Sequence, residues 1–371
     1  MWRWWWSVVG ASATRGPISS LQGTDRAALV DAVTKAAGIH VGREAAVPSL
    51  RTTSDGPSPW EQSRTVLAVT FNSGYLDFFE NWACYAVRAG LKFLTWPAER
   101  QAFERLRDDA RWHPLWEKHG VLYFAADVAK ALGIRHEASQ FRQDGFDRVA
   151  NFKLVMAAAI LDVGFDVWVS DVDIAFKADP WPIVTEIIDG LNCSYIFQPN
   201  GPFEYVYQKV REANTGFHFL KAGDAALDNV LDLSVRDERR KRTEDQEHWW
   251  YVINTLVPRV TVSRNATGPL RHYWRKDVLN RPAIEHYTLY SNTTLPPLYL
   301  CPLPHDAFPC GWPSIQNSEV ALGDRAAIVH ANMVAGHAAK MSKLKSYHMW
   351  YPRQKKNDDP AAAPLACAGL F

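Results

Sequence analysis

Residues 167–176 read VWVSDVDIAF, an apolar strand that leads directly into two aspartates, Asp171 and Asp173. Because a run of Val, Trp and Ile favours burial, acidic residues at its end require a partner. Side-chain alternation along a strand predicts that Asp171 and Asp173 share one face, with Val172 on the other. Two carboxylates this close suit Mg²⁺ or Mn²⁺, whose remaining positions are usually filled by water and substrate phosphates. The spacing by itself fits a solvated strand end equally well.

The segment before the aspartates predicts a helix. Residues 146–164 carry apolar side chains at helical spacing, and Gly164 is a natural C-cap. The acidic strand is therefore the second half of a helix and strand unit. In open α/β sheets, ligands bind beyond the carboxyl ends of the strands, which is where the two aspartates are expected.

The same alternation begins earlier in the chain. Residues 65–72 predict a buried strand, and residues 75–89 predict an amphipathic helix after a short turn. Further strands are predicted at 91–95 and 120–124. We therefore expect an α/β fold with a mixed, mostly parallel sheet flanked by helices. The first strand and turn of a nucleotide-binding fold usually meet the base and ribose. The candidates are Thr70, Asn72 and Ser73, and ordinary turn chemistry is the alternative for each.

Composition limits the class of protein. With 371 residues, 47% apolar content and a formal net charge of +1, the chain is long enough for one large α/β domain or two smaller ones. The near-neutral charge argues against nucleic acid as a partner. The basic run at 236–242 is interleaved with acidic residues, which is typical of a solvated helix face.

The ends of the chain differ in composition from its centre. We expect one ordered domain at 64–352, a stem or linker at 1–63 with a short helix at 25–37, and a low-complexity tail at 353–371. Residues 1–13 faintly resemble a signal peptide but are shorter than one should be. A missing upstream anchor is the alternative, and it would be the only route to a membrane.

Five cysteines show no spacing typical of a zinc site. Cys301 and Cys310 flank a proline-rich loop, which predicts a small disulfide if the compartment is oxidising. Three glycosylation sequons begin at Asn192, Asn265 and Asn292. Together these features predict the Golgi or secretory-pathway lumen, with the cytoplasm as the alternative.

Three further segments carry polar groups that could meet a ligand. Residues 214–220 read as a turn that enters a strand, where Gly216 lets the backbone approach a ligand and Asn214 can hold sugar hydroxyls. A plain β-turn is the alternative. Asp245 opens a helix, where a carboxylate can also serve only the helix dipole. Lys153 lies on the helix beside the acidic strand, where a carboxylate partner or a donor phosphate would explain it.

Five motifs recur in one order along the chain. They are Asn81-Trp82, Phe152-Lys153 ahead of the acidic strand, the NTGF sequence at 214–217, Asp245-Gln246, and His330-Ala331-Asn332 through Gly336 to Lys340. Together they resemble the nucleotide-diphospho-sugar transferase domain of glycosyltransferase family 77, a family with the GT-A fold. The likeness covers about residues 65–350.

The resemblance implies a divalent metal site that holds the diphosphate of a UDP-sugar. Asp173 would be the firmer ligand of Mn²⁺ or Mg²⁺, Asp171 would reach the ribose or a metal-bound water, and His330 would be the third ligand. Gly336 and Lys340 would contact the diphosphate. Taken singly, His330 could instead cap the strand at 326–329, and Lys340 could lie on a solvated helix.

The resemblance also implies transfer to a glycan or glycoprotein acceptor with retention of anomeric configuration. Asp245 would turn towards the donor sugar or the acceptor hydroxyl, and Gln198 and Asp245 are the polar residues to test first as catalytic groups. Galactose, xylose and arabinose are not distinguished as donor sugars. A catalytically silent sugar-binding protein is one alternative. A glycoside hydrolase is another, but its two carboxylates must flank the bond at least about 5 Å apart.

Overall fold

The computed structural model describes most of the region that the motifs span. The described residues are 24–37, 64–131, 144–191, 193–200, 213–236, 245–256, 259–263, 286–290, 298–305, 307–310, 326–332 and 334–351. The sequons at Asn192, Asn265 and Asn292, most of the basic run at 236–242 and the predicted tail lie outside these ranges, so those predictions stay untested. Within the described ranges, no helix has the length and apolar content that crossing a membrane requires.

Eleven strands lie in the described ranges. In chain order they are β1 (Thr65–Val69), β2 (Phe93–Thr95), β3 (Gly120–Leu122), β4 (Asp166–Ser170), β5 (Ile174–Phe176), β6 (Tyr195–Pro199), β7 (Ala213–Leu220), β8 (Arg259–Ser263), β9 (His286–Tyr290), β10 (Leu298–Pro302) and β11 (Ile328–His330). Nine of them form one sheet in the order β3-β2-β1-β4-β7-β6-β10-β9-β8, and β5 pairs with β11 in a separate small sheet.

The large sheet is mixed, and most of its strands run in the same direction. Strands β3, β2, β1 and β4 are parallel neighbours, and β6 and β10 are parallel to each other. Only β7 and β9 run against the others within the described sheet. This topology confirms the α/β class with a mostly parallel sheet and flanking helices, as expected for a GT-A type fold.

Ten α-helices of the described ranges cover both faces of the sheet. They are α1 (Thr24–Ala36), α2 (Leu76–Arg88), α3 (Arg100–Asp108), α4 (His113–Lys118), α5 (Ala126–Ala131), α6 (Asp144–Asp162), α7 (Trp181–Leu191), α8 (Ala225–Arg236), α9 (Asp245–Leu256) and α10 (His337–Ser346). The sequence anticipated α2 and α6 because both have an apolar pattern and a glycine just beyond the last turn; Gly90 and Gly164 adopt φ of 76° and 87° there.

The sheet separates two apolar cores. Alternate residues of β1 point to opposite sides, so Val66 and Ala68 join the core under α1, α6, α8 and α9. Leu67 and Val69 join the core under α2, α3 and α7, which also contains the small sheet. Burial of each large apolar side chain stabilises the fold by roughly 1.5–3 kcal/mol. Because helices of the described ranges cover both faces, we expect a ligand to bind at the edge where the strands end.

The predicted helix in the N-terminal stem exists as α1, and it packs on the sheet. Leu29 and Val33 are fully buried in the first core, and Arg26 forms an ion pair with Asp162 at the end of α6. Part of the predicted stem thus contributes to the folded body. The division into 1–63, 64–352 and 353–371 stays a prediction.

The predicted disulfide between Cys301 and Cys310 is wrong. Cys301 on β10 is bonded to Cys193, with 6.0 Å between their Cα atoms. Cys193 lies just before β6, which is a parallel neighbour of β10, and the Ser194 N–H donates to the Tyr299 carbonyl, so this segment lies beside the strand that carries Cys301. The Cys310 Sγ instead lies 3.5 Å from His305 Nε2.

Candidate active site

The two aspartates lie in the turn between the large and the small sheet. Strand β4 ends at Ser170 and β5 begins at Ile174, so Asp171 and Asp173 are not strand residues, contrary to the alternation predicted from sequence. The backbone holds both in place. The N–H of Asp171 donates to the Gly216 carbonyl (2.7 Å), and the Asp173 carbonyl accepts from the Ala331 N–H (2.9 Å).

His330 reaches the same turn because β11 pairs with β5. The pairing is antiparallel and places His330 opposite Ile174, next to Asp173. Its Nε2 lies 3.3 Å from Asp173 Oδ1 and 3.9 Å from Asp171 Oδ2. One potential ligand atom from each of the three residues lies within 4.8 Å of the others. The set predicted from sequence therefore converges.

The chemistry of this set fits a divalent cation. His330 Nε2 is buried, and no group among the described residues is aligned to hydrogen-bond with it. A buried ring nitrogen without a partner is costly, and here it faces two carboxylates that offer only lone pairs. Two carboxylate oxygens and one imidazole nitrogen are donors that Mn²⁺ accepts readily. Asp171, Asp173 and His330 are thus suited to hold such an ion.

Two lysines neutralise part of the acidic charge. Lys340 Nζ lies 2.7 Å from Asp173 Oδ2, and Lys153 Nζ lies 2.8 Å from both Asp171 Oδ1 and Asp245 Oδ2. Three carboxylates face two ammonium groups, which leaves one negative charge unbalanced when His330 is neutral. A bound cation would supply the missing positive charge.

Lys153, Lys340 and Asp173 have pKa values that their neighbours shift. Burial alone would lower the pKa of Lys153, but Asp171 and Asp245 outweigh it and raise that pKa above its ordinary value. Burial would likewise raise the pKa of Asp173, yet the ammonium of Lys340 holds it well below its usual range. Lys153 and Asp173 therefore both favour their charged forms.

Gly216 on β7 allows the close packing of this cluster. A Cβ at this position would lie 2.6 Å from Asp171 Oδ2 and would overlap the ring of His330. The Gly216 N–H donates to Asn214 Oδ1 (2.8 Å), and Asn214 Nδ2 donates to Asn200 Oδ1 (3.1 Å). The sequence predicted that the backbone approaches a ligand here; the structure shows that it approaches the candidate metal ligands themselves.

A cavity of about 520 Å³ opens over these residues. This volume suits a ligand of the size of a small cofactor. The predicted site residues that line it are Thr70, Asn72, Lys153, Asp171, Asp173, Asn214, Gly216, Asp245, His330, Gly336 and Lys340. Gly336 has φ of 90° and precedes the first turn of α10, which places Lys340 against the cavity.

Residues 109–344 match the sequence model of the nucleotide-diphospho-sugar transferases. The chain belongs to this family. The match spans more than half of the chain and confirms the resemblance at this level, so the protein is a glycosyltransferase by family. Assignment to family 77 is finer and stays a prediction. No curated protein matches the sequence.

Several solved glycosyltransferase structures are similar to this transferase at low identity. Mouse xyloside xylosyltransferase 1 in its apo form is 14% identical over 52% of this chain and 81% of its own, with a TM-score of 0.35. GlyE of Streptococcus pneumoniae TIGR4 is 12% identical over 79% and 66%, with a TM-score of 0.37. The WbbM bifunctional glycosyltransferase is 12% identical over 58% of this chain and only 40% of its own, with a TM-score of 0.35.

Two predicted site residues lie outside the cavity of the transferase. The Ser73 N–H donates to Glu99 Oε1, so it stabilises the turn after β1. Gln198 is completely buried on β6, and its amide contacts His330 from behind. It was a candidate catalytic group, and in the described structure it does not line the cavity.

Sequence reasoning missed several residues that line the cavity. Tyr75 enters it from the turn before α2, Asn200 from the end of β6, and Val149 and Ala150 from α6. Only Tyr75 carried a usable signal, since it follows the predicted turn at the end of the first strand. The others depend on how α6 and β6 are placed, which local sequence patterns do not specify.

Proposed function

We propose that this protein transfers a sugar from a UDP-sugar to a glycan or glycoprotein acceptor with retention of configuration, using Mn²⁺ or Mg²⁺. The observation that carries the proposal is the convergence of Asp171, Asp173 and His330 Nε2 in one cavity. A diphosphate is the ligand that such a cation most often shares with a protein. When bound, the cation would act as a Lewis acid that neutralises charge on the departing nucleoside diphosphate.

Lys340 supplies a fixed positive charge for the same diphosphate. Its side chain is 22% exposed, so the ammonium is held by Asp173 yet open to the cavity. A preorganised charge stabilises the negative charge that grows on the leaving group better than solvent does. Gly336 begins the helix that carries this lysine, and its open backbone leaves room for a phosphate nearby.

Asp245 and Lys153 line the same cavity beside Asp171. Lys153 bridges Asp245 to Asp171, so the carboxylate of Asp245 keeps a fixed distance from the candidate metal ligands. A carboxylate in this position can accept hydrogen bonds from hydroxyls of the donor sugar or the acceptor. We propose that it orients the sugar.

Thr70 and Asn72 suit the nucleoside. Both line the cavity at the end of β1, and Thr70 Oγ1 and Asn72 Oδ1 are buried without a hydrogen-bond partner among the described residues. Buried polar atoms of this kind are normally satisfied, so a ligand with donor groups would stabilise them. A uracil N–H and the ribose hydroxyls provide such donors.

The site does not suit a glycoside hydrolase. A hydrolase needs one carboxyl that is protonated and stands across the scissile bond from the other. Here Asp171 and Asp173 share one turn, each lies within 2.8 Å of a lysine ammonium, and Lys340 lowers the pKa of Asp173. A silent binder on the same fold would need only part of this charged cluster.

Released UDP separates the three functions. The full chain should be incubated with UDP-galactose, UDP-xylose and UDP-arabinose, with Mn²⁺ or with EDTA. A transferase releases UDP only with the metal, and an acceptor glycan raises the rate. A silent binder retains UDP-sugar without release. A hydrolase cleaves nitrophenyl glycosides with no sugar nucleotide present, and the anomeric configuration of a transfer product, read by NMR, tests retention.

We also propose the secretory lumen as its compartment. The bond between Cys193 and Cys301 supports this, because disulfides persist mainly in oxidising compartments. The three sequons agree with the same route.

A further inference from the structure

Gln198 contacts His330 on the side away from the cavity. Its Oε1 lies 2.7 Å from His330 Nδ1. Both side chains are almost completely excluded from solvent, Gln198 at 0% and His330 at 2% exposure. A contact of this length between two buried polar groups is a hydrogen bond, and one of the two atoms must donate.

The other end of the amide decides which atom donates. Gln198 Nε2 lies 3.1 Å from the Phe308 carbonyl oxygen and 2.9 Å from that of Pro309. Carbonyl oxygens only accept, so the amide NH₂ must face them and its oxygen must face His330. A flipped amide would instead place three oxygen atoms, all of them acceptors, against one another. His330 Nδ1 therefore carries the proton.

From this we infer that Gln198 is a positioning residue that holds His330 in the tautomer with a bare Nε2. In a neutral ring only one nitrogen is protonated, so Nε2 then presents its lone pair to Asp171 and Asp173. Hydrogen bonds to the remote nitrogen of a ligating histidine fix its tautomer and orientation in metal sites generally. The inference rests on the proposed function, because it assigns the bare nitrogen to the cation.

The backbone around Gln198 is well fixed. Strand β6 is bonded on one side to β7 and on the other to β10, and the Cys193–Cys301 disulfide joins β6 to β10. The N–H of Leu303 donates to the Phe197 carbonyl (2.7 Å), which ties the segment after β10 to the residue before Gln198. The Phe308 N–H donates to the Pro304 carbonyl (2.8 Å), so one of the two carbonyls that orient the amide belongs to a residue anchored to this segment.

The test compares the metal affinity of three full-length proteins in the absence of sugar nucleotide. Q198M keeps the shape of the side chain and removes the acceptor. Q198E keeps an acceptor for Nδ1 and disturbs the contact with the two carbonyls. We expect Q198M to weaken Mn²⁺ binding by about 10- to 100-fold, the range for changes behind metal ligands, and Q198E to weaken it less.

A matched control removes another buried amide. Asn81 Nδ2 donates to the Met349 carbonyl (3.2 Å), and its Oδ1 accepts from the Tyr351 N–H (2.8 Å), so N81L also breaks a two-ended network. It should lower the melting temperature and leave Mn²⁺ affinity unchanged. Mn²⁺ affinity in Q198M equal to that of the wild type would overturn the inference. So would an order in which Q198E binds Mn²⁺ more weakly than Q198M.

A measurement on the wild type needs no variant to fold. The ¹⁵N shifts of the His330 ring, assigned by comparison with H330N, distinguish the protonated from the bare nitrogen. We expect a protonated Nδ1 and a bare Nε2 in the Mg²⁺ form, and the reverse would overturn the inference. The ring of the metal-free protein is measured at pH 8 as well. If it shows this tautomer but the wild type binds no divalent cation, the proposed function fails and the positioning role of Gln198 stands.

Discussion

Lys340 donates to Asp173 across 167 residues of sequence, and the two atoms lie 2.7 Å apart. The pair joins the turn after β4 to the second turn of α10. It forms because β11 pairs with β5, so that α10, which follows β11 in the chain, begins beside the cavity. The same contact protects a carboxylate that is only 3% exposed and keeps the ammonium beside the candidate metal ligands.

Replacement of Asp173 by Asn should abolish Mn²⁺-dependent UDP binding. It should also destabilise the protein by up to about 3 kcal/mol, because Lys340 loses its partner while largely buried. A solvent-facing aspartate could be replaced without this loss of stability. The double variant D173N/K340M should recover much of the melting temperature without recovering UDP binding. UDP affinity that is the same with and without EDTA in the wild type would contradict the metal role.

Replacement of Lys340 by Ala should lower kcat by roughly 100-fold or more and raise the KM for donor much less. The ammonium stabilises charge that develops in the transition state, so its loss affects turnover more than binding. K340R should restore part of the rate, since a planar guanidinium does not reproduce a compact charge. Steady-state kinetics measure both parameters. K345A is the control, because Lys345 is on the same helix and does not line the cavity. Wild-type turnover in K340A would show that Lys340 has no role in the reaction.

Replacement of Gly216 by Ala should weaken metal binding. The added methyl would meet Asp171 Oδ2 at 2.6 Å, and overpacking of this kind costs roughly 1–3 kcal/mol. Gly223 has φ of 73° and no neighbour within 4 Å of its added Cβ, so G223A is strained without touching the site. Both variants should melt earlier, as measured by calorimetry, but only G216A should bind Mn²⁺ more weakly. Equal affinities in the two would show that the site tolerates the methyl group.

His218 should make the protein less stable in mild acid. Burial, and then the charge of Lys153, lower the pKa of this fully buried residue from 6.5 to about 3. The unfolded chain therefore binds one more proton between these values, so the stabilisation is complete above pH 6.5 and is lost as the pH falls towards 3. At pH 5 the loss is about 2 kcal/mol relative to neutral pH.

The comparison is with H218F, which has no ring nitrogen to titrate. Urea unfolding at pH 7.5 and pH 5 should show a decrease in the wild type that exceeds that of H218F by about 2 kcal/mol. Equal decreases would mean that His218 is not held neutral in the folded state. The test compares the decrease in unfolding free energy between the two pH values rather than the stability at one pH. The reason is that H218F also loses the contact with the Tyr195 hydroxyl (3.2 Å), which affects stability at both pH values.

The compartment can be tested on protein from native cells. The lumenal proposal predicts a glycan on at least one of Asn192, Asn265 and Asn292 and an oxidised Cys193–Cys301 pair in a peptide map. In the chain-entropy model, a bridge over 108 residues stabilises by about 5 kcal/mol, so C193S should lower the melting temperature strongly and C310S should not. Unglycosylated, fully reduced protein would indicate the cytoplasm.

The sequence by itself determined the local elements and the identities of the chemical groups. Apolar periodicity and a terminal glycine predicted α2 and α6, and the acidic end of β4 predicted a cation site near Asp171 and Asp173. The ordered motifs predicted the family. These features are local because helix and strand periods, caps and short motifs depend on residues close together in the chain.

Tertiary structure alone decided how these groups meet. The pairing of β5 with β11 brought His330 and Lys340 to the turn. Gln198, a candidate catalytic group from sequence, lies on β6 as a buried contact of His330, 132 residues away in sequence. The disulfide partner of Cys301 followed from the parallel pairing of β6 with β10, which brings the segment before β6 beside β10, rather than from the short loop to Cys310. Such contacts arise when strands distant in sequence become neighbours in a sheet, and no local pattern records which strands those are.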